Sequence, residues 1–456
     1  MAEFNAYEQL LLELVNRARL DPAGEAARLG ISLNQGLSAG TLDATQRDPL
    51  AGNAHLVDAA RGHSSWMLAA DVFSHTGSGG SSVSTRIANA GYALTGSWTV
   101  GENIAWMGTT GTVNQLQFLL ESHDGLFESP GHRMNILNKD FLEFGGGVLL
   151  GQFKSGSTNY NAQMVTENFG RHGSGVFITG VAHKDTDNDN FYDIGDARGA
   201  VSVTVRSGAT VVGTDVTEAA GGYGINVAGG TYAVTFSGGG LPVPVTAVVA
   251  GGTKSVKVDL AGTAEILSSV TTTLGAGALH LTLLGINGTN GYGNASANVI
   301  TGNNGSNFLT GGAGNDVLVG RAGNDILRGD SGRDVLYGGA GNDTFRFATF
   351  SDLGNTATTR DVINDFMKTA ATGVDKIDLA SLDARAATAT INEAFSFLAT
   401  KGAAFSAAGQ IRWFQEGSGT TAKTIVAGNT DANLATAEFH IELKGHVALA
   451  SSDFIL

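Results

Sequence analysis

The sequence predicts a multidomain chain: an α+β region, a small β-sandwich, a parallel β-roll and a mixed-β C-terminal region, in that order. Three observations lead there. Long amphipathic helical runs are confined to residues 1–176. Short alternating strands between glycine turns fill 177–260. A nine-residue repeat then marks 261–347, ahead of a mixed segment at 348–456.

The chain has 456 residues, 42% of them hydrophobic, enough for several cores. Its 66 glycines beside only 5 prolines exclude collagen and a proline-rich linker. With no cysteine there are no disulfides, thiolate metal sites or cysteine nucleophiles. The net charge of −15 is spread along the chain, which disfavours nucleic acid and anionic membrane as partners. The opening "MAEFNAYEQL" lacks a basic segment followed by an apolar one, so no leader of that type is expected. No apolar run approaches the roughly 18 residues of a spanning helix.

In the first region, "YEQLLLELVNRARL" places Leu10, Leu11, Leu14, Val15 and Ala18 on one helical face, and Asp21-Pro22 ends the run. "NAHLVDAARGHSSWMLAADVF" predicts a second helix. "TVNQLQFLLESHDGLFES" predicts a third, opened by Thr112 and closed before Pro130. "EFGGGVLLGQF" and "YNAQMVTENF" read as strands. In the second region the strands are "AVSVTVRSG", "GYGINVAGG", "TYAVTFSGG" and "KSVKVDL". In the last, "NEAFSFLATKG" suggests one helix.

From Gly293 the repeats are "GNASANVIT", "GNNGSNFLT", "GGAGNDVLV", "GRAGNDILR", "GDSGRDVLY" and "GGAGNDTFR". About six residues turn and three extend in each. Two such units make one coil, with Val317, Leu318, Ile326, Leu327, Val335 and Leu336 expected to face inward. The pattern resembles the calcium-binding RTX repeat. Glycine permits tight turns whose carbonyls converge on an ion, and aspartate adds a hard oxygen. The expected calcium residues are Gly311, Gly312, Gly314, Asp316, Gly320, Gly323, Asp325, Gly329, Gly332, Asp334, Gly338, Gly339, Gly341 and Asp343. Stacking predicts that Asp316 meets Asp334 and Asp325 meets Asp343. Asn298 and Asn307 occupy the same position in the first two units and predict up to two weaker sites.

"DTDNDNFYDIGD" offers a second calcium candidate, an EF-hand-like loop. Asp185, Asp187, Asp189, Asp193 and Asp196 stand at positions 1, 3, 5, 9 and 12, with the Phe191 carbonyl at 7. Asn190 replaces the usual glycine at position 6, where asparagine tolerates a left-handed turn.

"DVINDFMKTAATGVDKIDLASLDA", "AFSAAGQIRWF" and the terminal "SSDFIL" resemble the C-terminal domain of serralysin-type metalloproteases, over Asp343 to Leu456. The resemblance implies an uncleaved type I secretion signal, and so the type I secretion apparatus as a partner, with folding outside the cell. The protease itself is absent, since no H-E-x-x-H occurs.

"DVFSHTG", "VGENIAW" and "ESPGHRMNILNKDFLEFGGGV" together resemble the bacterial branch of the CAP superfamily, the SCP-like extracellular domains, over about Tyr7 to Phe169. The resemblance implies an α-β-α sandwich whose cleft holds two histidines and two acids. Carried over, these are His75, His132, Glu102 and, on the helix before the second histidine, Glu121. His123 cannot share a helical face with Glu121, so only one of the two should look into the cleft. Such a set suits Zn²⁺. Glu102 or Glu121 would then be the candidate general base of a hydrolase. Glu143 lies near His132 in sequence and could enter the site, whereas His55 and His63 read as helix-surface or satisfied core groups and Trp66 as core packing.

Three functions follow. The first is a secreted, extracellular or cell-surface calcium-binding protein whose CAP domain holds a small ligand, lipid, peptide or glycan. The second is a metal-dependent hydrolase using the same cleft. The third is a calcium-stiffened surface protein with an idle cleft.

Overall fold

The computed structural model describes residues 3–173, 175–369, 373–385 and 393–456. The chain forms two compact units, Met1–Thr263 and Ala264–Leu456.

The first unit opens with helix α1 (Ala6–Leu20), capped by Asn5 and Glu8 in a reciprocal box. Asp21 ends α1 and at once caps α2 (Pro22–Arg28), with Pro22 in its first turn. Helices α3 (Ala54–Ala70), α4 (Val83–Asn89), α5 (Gln115–Glu128) and α6 (Pro130–Ile136) follow. The cap of α5 is Asn114, whose side chain accepts from the Gln117 N–H, so the helix starts later than Thr112.

Four strands form one sheet in the order β1 (Ala51–Gly52), β3 (Glu143–Ser155), β4 (Thr158–His172), β2 (Trp98–Thr109). Consecutive glycines in β3 show how it is covered. A Cβ at Gly145 or Gly147 would lie 2.2–2.4 Å from the backbone of α3, whereas one at Gly146 meets Leu11 of α1 at 3.4 Å. Alternate residues thus face opposite helices, which makes this an α-β-α sandwich. The glycines let α3 lie directly on the strand.

Within the same unit, strands Val176–His183, Gly222–Val227 and Val256–Ala261 make one sheet. Val201–Ser207, Thr210–Val216, Gly230–Gly238 and Val245–Gly252 make another. Val201, Val203, Val205, Val234 and Phe236 are buried in alternation, and Tyr223 of the first sheet meets Phe236 of the second edge-on at 5.8 Å. Tyr192 and Ala220 enter the hydrophobic core built around α1.

The second unit is a parallel β-roll. Strands pair in register eighteen residues apart, Val299 with Val317 and Val335 on one side, Phe308 with Ile326 and Thr344 on the other. Ile300, Leu309, Leu318, Leu327, Leu336 and Phe345 are fully buried. Val317, Ile326 and Val335, expected inside, are only half-buried, because each three-residue strand turns its middle side chain inward and the flanking two outward. Arg321 and Asp330 stand at positive φ, where the neighbouring repeats have Gly312 and Gly339. That backbone is strained for residues with a Cβ.

The C-terminal strands continue the roll. Val362–Ile363 pairs with Val335–Leu336, and Lys376–Asp378 with Thr344–Arg346. Phe454–Ile455 adds to the same edge. Antiparallel strands Gln410–Glu416, Lys423–Asn429 and Phe439–Lys444 complete the unit. The helix expected at "NEAFSFLATKG" is not formed. Asn392 lies outside the described residues, and Ser396–Phe397 is a strand beside Gln410–Ile411, so pairing overrides local propensity.

Gly147→Ala is expected to destabilise the first unit by about 1–3 kcal/mol, the usual cost of overpacking. Gly146→Ala should cost much less, since its Cβ finds ordinary contact. Chemical-denaturation midpoints followed by tryptophan fluorescence check this, and equal midpoints would mean that α3 can slide off the strand.

Candidate functional site

The cleft residues come from separate elements. His75 follows α3 after Asp71 turns the chain at φ 51°. Glu102 is on β2, Arg86 on α4 and His132 on α6. His75 Nδ1 lies 2.9 Å from Glu102 Oε1, and Arg86 donates to Glu102 Oε2 at 2.5 Å. The His75 and His132 rings stand 6.4 Å apart, centre to centre. His63 Nε2 donates to the Ser74 carbonyl at 2.9 Å and lies 3.9 Å from Glu102. Burial pushes the His63 and His132 pKa values down, so both rings favour the neutral form.

Behind the cleft, Asn103 donates to the His132 carbonyl and to Glu167, and Asn135 donates to the Glu102 carbonyl. Glu167 is fully buried, and burial raises its pKa. These amides fix the two backbones that carry Glu102 and His132.

Glu121 is not in the cleft. It is exposed and accepts from the Gln117 amide one turn back. His123 points inward instead, but toward Glu25 at 3.3 Å. Glu25 is also held by Arg17 and Arg28. Burial alone would raise the Glu25 pKa, but the bonds from His123, Arg17 and Arg28 together carry it well below the carboxylate range. The cleft therefore combines three histidines, His63, His75 and His132, with one carboxylate and a guanidinium. Arg86 occupies the position of charge that a metal would take beside Glu102. Metal-compatible groupings among the described residues lie elsewhere, at Glu25, His123 and Asp124 and in the 185–196 loop. The cleft residues do not fit Zn²⁺.

Glu143 also lies apart from the cleft. Tyr92 Oη donates to its Oε2 at 2.5 Å, His172 Nδ1 lies 3.0 Å from the same oxygen, and Asn53 donates to Oε1 at 2.7 Å. The sequence offered no signal for His63 and Arg86. Only the fold brings α3 and α4 to Glu102. Both line a depression of about 450 Å³ between those helices, with Asp58, Trp66, Ser81 and Asn89.

The 185–196 loop draws its acids together. Oxygens of Asp185, Asp187 and Asp189 lie within 4.8 Å of one another, as do those of Asp187, Asp193 and Asp196. Asn190 has φ 62°, the left-handed turn expected at position 6, and Phe191 follows it with its N–H bonded to Asp189. Burial, then Asp189 and Asp187, raise the Asp193 pKa. Thr186 donates to Asp196, which ties the two ends of the loop.

In the roll the aspartates stack. The Asp316 N–H donates to Asp334 Oδ1 and the Asp325 N–H to Asp343 Oδ1, both at 2.8 Å. The columns continue beyond the repeats, since the N–H groups of Asp334 and Asp343 donate to Asp361 and Asp375. Asp365 accepts from the N–H groups of Gly338 and Gly339. These three acids escape a nine-residue reading because the intervening loops lengthen. "DVI" and "DKI" nevertheless keep the aspartate-x-apolar phase.

The Oδ2 atoms of Asp316, Asp325, Asp334, Asp343 and Asp361 are buried without a partner among the described residues. Each repeat aspartate folds over its own leading glycine. A Cβ at Gly311 would lie 2.2 Å from Asp316 Oδ2 and 2.6 Å from the Gly329 carbonyl, and Gly320 stands likewise to Asp325 and Gly338. Glycine carbonyls and an unpaired carboxylate oxygen thus converge on one point, an arrangement that fits a hard cation. Burial pushes the Asp316 pKa up to about 6, Asp325 and Asp334 to about 7 and Asp361 to about 8.

Residues 12–169 match the cysteine-rich secretory protein family (CAP), and residues 292–456 match the Peptidase M10 serralysin C-terminal family. The class is thus a secreted modular protein, an α-β-α domain followed by a β-roll. More particularly, the chain carries a CAP domain that contains no cysteine and a serralysin-type C-terminal domain. Similar solved structures include the AlgE6R3 and AlgE6R2 subunits of the Azotobacter vinelandii mannuronan C5-epimerase. They are 30% and 29% identical, cover 35% and 38% of this chain and 78% and 91% of their own, each with TM-score 0.26. An extracellular protein containing a SCP domain from Bacillus anthracis str. Ames is 22% identical over 36% of this chain and 40% of its own, with TM-score 0.24. Comparison with curated proteins returns no match. Among the described residues no helix is long and apolar enough to cross a membrane.

Two outcomes test the site. Zinc titration by calorimetry of the full chain should give the same isotherm for wild type and for H75A/H132A. A binding step lost in the variant would mean that zinc displaces Arg86. With divalent cations chelated, the raised pKa values of the roll aspartates favour the folded unit most below the unfolded value near 4. That contribution is lost as pH rises through about 6 to about 8. Far-UV circular dichroism in chelator should therefore show more strand signal at pH 5 than at pH 8.

Proposed function

We propose that this protein is a type I secretion substrate that folds on calcium outside the cell and presents its CAP domain as a ligand-binding module. The observation that carries the calcium reading is the set of five buried, unpartnered aspartate oxygens beside glycine carbonyls. In a calcium-poor cytoplasm these carboxylates oppose folding, which keeps the chain in a form that can be exported. Outside, each site with calcium at ten times its dissociation constant adds about 1.4 kcal/mol. The expected ligands are the aspartates and glycines of Gly311–Asp343, joined by Asp361. The 185–196 loop, through Asp185, Asp187, Asp189, Phe191, Asp193 and Asp196, is the second calcium site of this reading.

Binding rather than hydrolysis is favoured at the cleft because both oxygens of Glu102 are engaged, by His75 and Arg86. The depression lined by Asp58, His63, Trp66 and Arg86 offers an aromatic face and polar groups to a small ligand, a lipid, a peptide or a glycan.

Calcium calorimetry on the full chain tests the first half. Asp334→Asn should reduce the stoichiometry in the roll, and Asp187→Asn should remove a separate step. Unchanged isotherms in both variants would overturn the calcium reading. For the cleft, mass spectrometry of material released from the purified secreted protein should detect a bound molecule that Trp66→Ala and Arg86→Ala reduce. Turnover of a substrate that survives in wild type and vanishes in Glu102→Gln would instead restore the hydrolase.

A further inference from the structure

The roll is not chemically uniform along its length. Where Asp316 and its successors leave an oxygen without a partner, Asn298 and Asn307 do not. The Asn298 amide donates to the Leu279 carbonyl in the preceding coil at 3.1 Å, and the Asn307 amide donates to the Thr289 carbonyl at 2.6 Å. Their oxygens accept from the N–H groups of Asn294 and Asn303 at 2.8 and 2.9 Å. A second asparagine in each of these turns repeats the arrangement. Asn294 donates to the carbonyls of Gly275 and Ala278, and Asn303 to those of Leu284 and Asn287. An amide carries both donors and an acceptor, so it can bridge a carbonyl and an N–H with no third party. An ionised aspartate only accepts, and against carbonyl oxygens it needs a cation between them.

We infer that the roll consists of an amide-locked N-terminal part, ending near Thr310, and a cation-locked part beginning at Gly311, and that the first part folds without calcium and serves as the template on which the second assembles. This rests on the calcium reading proposed above. It also revises the expectation of weak calcium sites at Asn298 and Asn307, whose turns are closed by their own side chains.

The polarity has a structural basis. His280–Leu283 pairs with Glu265–Ser268 on one side and Val299–Thr301 on the other, so these strands have partners within the amide-locked part. Val317–Val319 needs only to add to the exposed edge of Val299–Thr301 once a cation neutralises Asp316 and Asp334. Nucleation, the costly step of any stacked repeat, is thereby separated from the calcium-dependent propagation.

Hydrogen exchange with mass spectrometry on the full chain, in calcium and in chelator, tests this. In chelator, peptides covering 280–283 and 299–301 should stay protected, while those covering 317–319, 326–328, 335–337 and 344–346 lose protection. Equal loss in both groups overturns the template. If calcium alters protection nowhere in the roll, the calcium reading itself fails, and this inference with it. The double variant Asn298→Asp/Asn307→Asp supplies the independent check. In chelator it should lose protection at 299–301 and 308–310 and recover it when calcium is added. Retained protection in chelator would show that the amides do not lock these turns.

Discussion

A carboxylate taken out of water must meet positive charge, take up a proton or leave the structure unstable, and the two units of this chain answer that demand differently. In the first unit, outside the 185–196 loop, several buried carboxylates meet a side-chain cation. Glu102 meets Arg86, Glu25 meets Arg17 and Arg28, Glu8 meets Arg61, and Lys257 sits between Glu13 and Asp259. Glu167, which has an amide donor rather than a cation, has its pKa raised by burial. In the second unit the roll aspartates face backbone N–H groups on one oxygen and nothing on the other. These oxygens are relieved either by a proton or, on the calcium reading proposed above, by a cation from solution. On the calcium reading proposed above, this contrast would let a chain without cysteine fold in one place and not in another.

The roll also pays the conformational cost of glycine, and the two costs have one remedy. The leading glycine of each repeat is required because its own aspartate folds over the place a Cβ would fill. The same crowding brings the carboxylate to the glycine carbonyls of the next coil. A cation that binds there relieves the charge and at the same time fixes the turns whose freedom opposed folding.

How far this was legible in the sequence depends on whether the signal is periodic. The pairing of Asp316 with Asp334, and the eighteen-residue coil, follow from spacing alone and recur in the hydrogen bonds. Asp361 and Asp375 extend the columns but sit 27 and 32 residues after their partners, where the period has lapsed. The face argument for Glu121 and His123 was sound in geometry, since one is outside and the other inside. It could not say that the buried partner of His123 is Glu25, contributed by a helix nearly a hundred residues away. Arg86 was invisible for the same reason. Its role exists only because α4 is laid beside β2.

Arg86 changes what the cleft can do more than any residue that the family pattern names. Histidines and a carboxylate, taken alone, describe an open metal site. With the Arg86 guanidinium on the second oxygen of Glu102, both oxygens of that carboxylate have a partner, and the His75 ring is one of them. The adjoining depression is lined by Trp66, Asn89, Asp58 and Arg86, so on the binding reading proposed above a ligand would meet an indole, an amide and two charged groups. On that reading specificity would come from shape and from the groups the depression presents, Asp58, Trp66 and Asn89 among them, more than from the histidines that mark the family.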